Sequence, residues 1–195
     1  MSGGKNLCVA TALTHAVVGA ALAPLAPAGM SRSRLAFALA VVSVLPDLDV
    51  VAFRMGIPYA HPLGHRGFTH SILFAALLAA VVARFEFKTI SPVTRAWWRL
   101  FSALFAAAAS HGILDAFTNG GLGVGFLIPF SNTRYFAPVR PLPVSPIGID
   151  GSVPGIIGTE IAYVWLPVLA LFATSAAWRR ARARSRAPRS RARWS

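Results

Sequence analysis

The chain has 195 residues, of which 55% are hydrophobic and only 13% charged, with a mean hydropathy of +0.60. Soluble domains carry about 25% charged residues, so a soluble globular domain is excluded in favour of one membrane-embedded domain, and a lone Cys8 excludes an internal disulfide. The formal net charge is +13, and much of it comes from the stretch Arg179–Arg193, which is dense in arginine and contains no acid.

Five apolar runs follow in order: about Leu7–Ala28, Leu35–Phe53, Phe68–Phe87, Trp97–Phe117 and Ile156–Trp178. A spanning helix needs roughly 20 mostly apolar residues. The pattern therefore predicts an all-α, multi-pass membrane bundle of about five helices, occupying residues 1–178. Between the fourth and fifth runs, residues 118–155 are rich in Gly and Pro and carry Phe126, Phe130, Tyr135 and Phe136. A connection of that length inside a compact domain reads as a functional loop, with its aromatics at the membrane interface. Residues 179–195 read as a disordered Arg-rich tail that anchors to anionic lipids; nucleic acid is not an expected partner. Counting basic residues on alternate connections puts most of them with the tail. By the positive-inside rule this assigns the tail to the cytoplasm and the long loop to the outer face of the membrane.

The ionisable residues concentrate at one set of helix ends. His15 lies near the start of the first run, and Asp47 and Asp49 close the second. His61, His65 and His70 precede or open the third. His111 and Asp115 end the fourth, and Glu160 opens the fifth. In an alternating topology these ends share one membrane face. Carboxylates and imidazoles beside hydrocarbon must pair or mark function, and mixed His/Asp ligation suits Zn²⁺, with Mn²⁺ or Fe as alternatives. His111 and Asp115 stand four apart and share a helix face. Gly67 allows a bend that turns His65 and His70 inward. Arg66, between those histidines, is expected to hold a substrate anion through its planar fork, while His61 is the weakest candidate ligand. Two classes of function remain at this point: a metal-dependent enzyme, and a metal transporter or sensor without catalysis.

The run His65-Arg66-Gly67-Phe68-Thr69-His70-Ser71, taken with Thr14-His15, Pro46-Asp47-Leu48-Asp49 and His111-Gly112-Ile113-Leu114-Asp115, resembles the YdjM-like family of bacterial inner-membrane, metal-dependent hydrolases of the LexA-regulated type. Thr118–Gly121 and Pro129–Phe136 add to the likeness. The ligand order is also similar to that of zinc-dependent phospholipase C and P1-type nucleases. The resemblance implies a membrane-bound hydrolase that acts on a phosphoester, such as a lipid, through a water activated by one or two divalent ions. It implies His15, Asp49, His70, His111 and Asp115 as ligands and Asp47 and His65 as ligands or their supports. Asp47 is the expected general base. The soluble enzymes end in a further His-x-x-x-Glu pair, of which only Glu160 is present here, with Ile156 four residues before it.

Overall fold

A computed structural model describes residues 8, 9, 11–27, 29–146 and 153–186. The order is α1 (Ala12–Ala21), α2 (Arg32–Val44), α3 (Val51–Arg54), α4 (Ile72–Phe85), α5 (Arg95–Ala116), α6 (Val153–Glu160) and α7 (Leu166–Arg186). Short 3₁₀ turns cover Ala23–Leu25, Leu45–Val50 and Phe68–His70, and one π-helical turn, Ile161–Trp165, joins α6 to α7. A two-residue antiparallel pair, β1 (Cys8–Val9) with β2 (Ser145–Pro146), ties the start of the chain to the end of the long loop. The fold is otherwise all-helical, as the hydropathy pattern predicts.

Hydroxyl side chains set the helix starts. Thr11 accepts from the Thr14 N–H at 3.3 Å, Ser71 from Phe74 at 3.0 Å and Thr94 from Trp97 at 3.2 Å, each satisfying an amide that the first turn leaves free. Pro46 ends the regular part of α2, because it lacks the N–H that the next helical bond requires. The tighter turn over Leu45–Val50 carries Asp47 and Asp49.

Helix α1 packs on α2, α4 on α5, and α2 on α5, while α6 and α7 lie against α1 through the π turn. The core is made of small residues. Ala75, Ala79 and Ala83 form a stripe on α4 that meets Leu100, Ala103, Leu104 and Ala107 of α5, and Leu35, Leu39 and Val42 of α2 complete the cluster. Small side chains let helix backbones approach closely, as helices in hydrocarbon do. Among the glycines within helices the tightest contact is at Gly19, where an added Cβ would stand 2.5 Å from the Leu39 carbonyl oxygen and 2.6 Å from Ser43 Cβ. Gly19→Ala is therefore expected to cost about 1–3 kcal/mol by overpacking. Thermal unfolding of the detergent-solubilised variant reads this directly, and an unchanged midpoint would contradict the contact.

The outer surface stays apolar. Phe37, Leu77, Val81, Phe85, Leu166 and Leu171 are all exposed. Two helices among the described residues are long and apolar enough to cross a membrane, Arg32–Arg54 with 23 residues and Pro154–Thr174 with 21. Ala12–Leu25 and Ile72–Phe85 are apolar but shorter, about 21 Å each against a hydrocarbon core of about 30 Å. The first and third apolar runs are thus shorter as helices than as sequence. The chain before Thr11 is extended in part, and α4 starts at Ile72 because residues through His70 are coiled into turns. Residues 179–186, expected to belong to a disordered tail, are helical, since α7 continues through Arg186. Arg and Ala are strong helix formers, and extending an existing helix avoids the nucleation cost. Residues 187–195 lie outside the described part.

Candidate metal centre

The 3₁₀ turn at the end of α2, the turns between α3 and α4, the first turns of α1 and the last turns of α5 meet at one end of the bundle. Into that junction they bring His15, Asp47, Asp49, His65, Arg66, His70, His111 and Asp115. All except Asp47 are buried, and the Asp47 side chain is 14% exposed, the one edge of the cluster that reaches the surface.

The connection between α3 and α4 is wound so tightly that glycine is required by space. A Cβ on Gly64 would run into the Pro58 carbonyl oxygen, and one on Gly67 into that of Pro62. Gly67 has φ −90°, so close approach rather than a left-handed backbone accounts for it. The left-handed residue is Arg66, at φ 59°, a conformation that costs a non-glycine residue about 1–3 kcal/mol. That conformation is held at every group of Arg66. Its N–H donates to Asp49 Oδ2 at 3.1 Å, and its carbonyl accepts from Gly125 at 2.9 Å. Its Nη1 donates to the Gly120 carbonyl at 3.0 Å, and its Nε pairs with Asp115 Oδ2 at 2.9 Å. Arg66 therefore faces inward, fully buried, as a counter-charge to Asp115.

Asp49 is an organising acceptor. Its Oδ1 takes His65 Nδ1 at 2.6 Å; its Oδ2 takes the Arg66 N–H, Thr69 Oγ1 at 2.7 Å and His70 Nδ1 at 3.2 Å. On the other side His111 Nδ1 donates to the Ser43 carbonyl at 2.7 Å, while Ser43 Oγ donates to the His15 carbonyl at 2.7 Å. The His15 and His111 rings stack at 3.7 Å. A proton on Nδ1 leaves Nε2 as a lone pair, so His70 and His111 each offer an Nε2 acceptor to the space between them.

That space contains more acceptors. His111 Nε2 stands 3.2 Å from Asp47 Oδ1, and His70 Nε2 stands 3.3 Å from Asp115 Oδ2. One atom from each of Asp47, His70, His111 and Asp115 lies within 4.8 Å of the others, and Asp49, His65 and His70 satisfy the same criterion. His15 Nε2 is 3.6 Å from Asp115 Oδ1. Yet His70 Nε2, His111 Nε2, Asp47 Oδ1 and both nitrogens of His15 make no hydrogen bond. Buried polar atoms left unmatched cost about 1–3 kcal/mol each and call for an ion or water to explain them. The charge count points the same way. With the imidazoles neutral, as metal ligation requires, the carboxylates of Asp47, Asp49 and Asp115 against the guanidinium of Arg66 leave an excess of two negative charges in a buried junction. A divalent cation between convergent lone pairs would cancel that excess, and these residues fit one.

Two predicted residues lie elsewhere. Glu160 is buried, but its oxygens take the Thr11 N–H at 2.7 Å, the Thr14 hydroxyl at 2.6 Å and the Thr11 hydroxyl. It caps the positive end of α1 beside the cluster, with Trp165 Nε1 donating to Thr14 at 2.8 Å. His61 is exposed and accepts the Leu63 N–H at 3.1 Å. Ser43 and Thr69 join the network without having been singled out as site residues. The only sequence signal for Ser43 is a lone hydroxyl in the apolar run Leu35–Phe53, four residues before Asp47. Arg134, in the long loop, grips the carbonyl oxygens of Tyr59, His61, His65 and Gly123 at 3.0–3.3 Å. It staples the loop over the histidine segment, and burial among those groups pulls its guanidinium below the ordinary value.

Fold and site together define a helical membrane protein with a buried His/Asp centre beneath a loop. The chain belongs to the YdjM inner membrane protein family, whose model matches residues 10–184. It is 36% identical over 168 residues to inner membrane protein YbcI of Escherichia coli (strain K12), across 83% of this chain and 94% of that relative. No solved structure matches the chain.

Proposed function

We propose that this protein is a metal-dependent hydrolase of the inner membrane that cleaves a phosphoester. The observation that carries this reading is the set of convergent, unmatched acceptor atoms. The Nε2 atoms of His70 and His111 meet Asp47 and Asp115, while Asp49 and the Ser43 carbonyl hold the opposite ring nitrogens. Histidine whose far nitrogen is fixed by a carboxylate or carbonyl is the usual support for a metal ligand. Two imidazoles with two carboxylates suit Zn²⁺, with Mn²⁺ or Fe as alternatives. His15, with both ring nitrogens unmatched beside Asp115, can serve a second ion.

A divalent ion held there supplies a bound water with pKa lowered to about 7 and a Lewis-acid contact for a phosphoryl oxygen. The protein's own groups divide the remaining work. Asp47, at the exposed edge, is placed to take a proton from the attacking water. Asp49 keeps His65 and His70 in one tautomer and orientation. Arg66 offsets part of the carboxylate charge, so the centre attracts a divalent ion without excess repulsion.

Elemental mass spectrometry on detergent-purified protein tests the first half of the reading. Stoichiometric metal is expected in the wild type and its loss in His70→Ala and His111→Ala. Metal-loaded wild type should then hydrolyse short-chain phosphodiesters, and Asp47→Asn should lower that rate about 100-fold or more. Wild-type protein that holds no metal after reconstitution would sink the proposal. Metal without turnover on any phosphoester would favour a sensor instead.

A further inference from the structure

Beside the centre, between the start of α4 and the later turns of α5, lies a cavity of about 220 Å³. His70 stands at its inner end. Phe105 and Ala109 of α5 form a wall, Phe126 of the long loop forms the roof, and Ile72 and Ile113 stand at the mouth. The mouth residues are about half exposed, at 48% and 50%. The roof is fixed: the Ile72 N–H donates to the Phe126 carbonyl at 3.0 Å. Gly112 makes room for it, because a Cβ there would stand 3.0 Å from the His70 carbonyl oxygen and 3.1 Å from Phe126 Cε1.

The slot thus joins a site rich in charge to a flank where Ile72, Leu77 and Val81, exposed on the earlier turns of α4, are aliphatic. Its lining is almost wholly apolar, so it offers water few partners and gives an ionic group none beyond the His70 end. A hydrocarbon chain that enters from a bilayer exchanges one apolar environment for another and loses no hydration. We infer that this slot takes the hydrocarbon chain of a membrane lipid whose phosphoester lies at the metal centre. The inference rests on the hydrolase reading and deepens it: the substrate is a membrane lipid that enters sideways between α4 and α5, not a water-soluble ester.

The full chain, reconstituted in phosphatidylethanolamine vesicles doped with a phospholipid bearing a diazirine on one acyl chain, tests this by photolabelling. Labels are expected to concentrate on Phe105, Ile113 and Phe126, about tenfold above Leu77 and Val81 on the outer face of α4. Ala109→Trp, which fills the slot, should lower that yield about tenfold while metal content stays at the wild-type level. If that variant loses its metal, Ile113→Trp at the half-exposed mouth makes the same test. Even labelling of Leu77, Val81 and Ile113 overturns the slot. Photolabelling needs no turnover, so the two readings fail separately. Concentrated labelling with no lipid hydrolysis overturns the substrate assignment. Hydrolysis of a chain-free phosphodiester, unchanged in Ala109→Trp and accompanied by even labelling, overturns the slot and leaves the hydrolase standing.

Discussion

Asp115→Ala is expected to lose its metal and about 3–5 kcal/mol of stability, the usual result of removing one partner from a buried ion pair. Asp115 is fully buried and pairs with Arg66 Nε at 2.9 Å, and it also faces the Nε2 atoms of His15, His70 and His111. Its loss removes the carboxylate that pairs with the guanidinium of Arg66 in a buried junction. The decisive comparison is a cycle with Arg66→Met. If the ion pair is the cause, the Arg66→Met/Asp115→Ala double variant will be more stable than Asp115→Ala alone, because the stranded charge has gone with its partner. Unfolding in detergent, with metal content measured in parallel, gives both readouts. An Asp115→Ala protein within about 1 kcal/mol of wild type is incompatible with the pair carrying that load.

The second large effect falls on Asp49. As an organiser it should be worth 10–100-fold in metal affinity, the usual range for groups that orient ligands. Competition with a chelator reads this in Asp49→Ala. Complete loss of binding would instead make Asp49 a direct ligand. Asp49→Asn is expected to be no milder than the alanine variant, although it preserves shape. The amide nitrogen replaces one carboxylate oxygen, so it faces either His65 Nδ1 or His70 Nδ1 and donates where that ring now donates. It therefore favours the tautomer with the proton on Nε2, and an N–H cannot act as a ligand.

The convergence of the site could be read from the sequence because it depends only on alternation. Residues at the start, end, start and end of successive helices must share a side, and His15, Asp47, Asp49, His70, His111 and Asp115 do meet. Arg66 was legible as a site residue but not in its inward orientation. Its direction depends on a left-handed backbone, set by the crowding of Gly64 and Gly67 against carbonyls three to six residues earlier in the same loop, and no periodicity reports that. Glu160 lies close to the cluster in space, yet it is captured by Thr11 and Thr14. The docking of α6 against the first turn of α1 decides this, over a sequence separation of 149 residues. Apolar runs overestimated α1 and α4, because hydropathy does not distinguish a helix from the coiled or extended chain that leads into it. The helical start of the arginine-rich tail was missed because charge was weighed above the helix propensity of Ala and Arg.

The dispersion of the site along the chain has a consequence for biosynthesis. The segment 65–70 is locally wound, but its acidic partners sit at 47 and 49 on one side and at 115 on the other. A ribosome must therefore extend the chain through Asp115 before Arg66 acquires its counter-charge or His70 its second carboxylate. Until that helix has been delivered, the nascent chain holds a half-built centre. A product truncated before α5 would carry Arg66 without the carboxylate that its Nε pairs with.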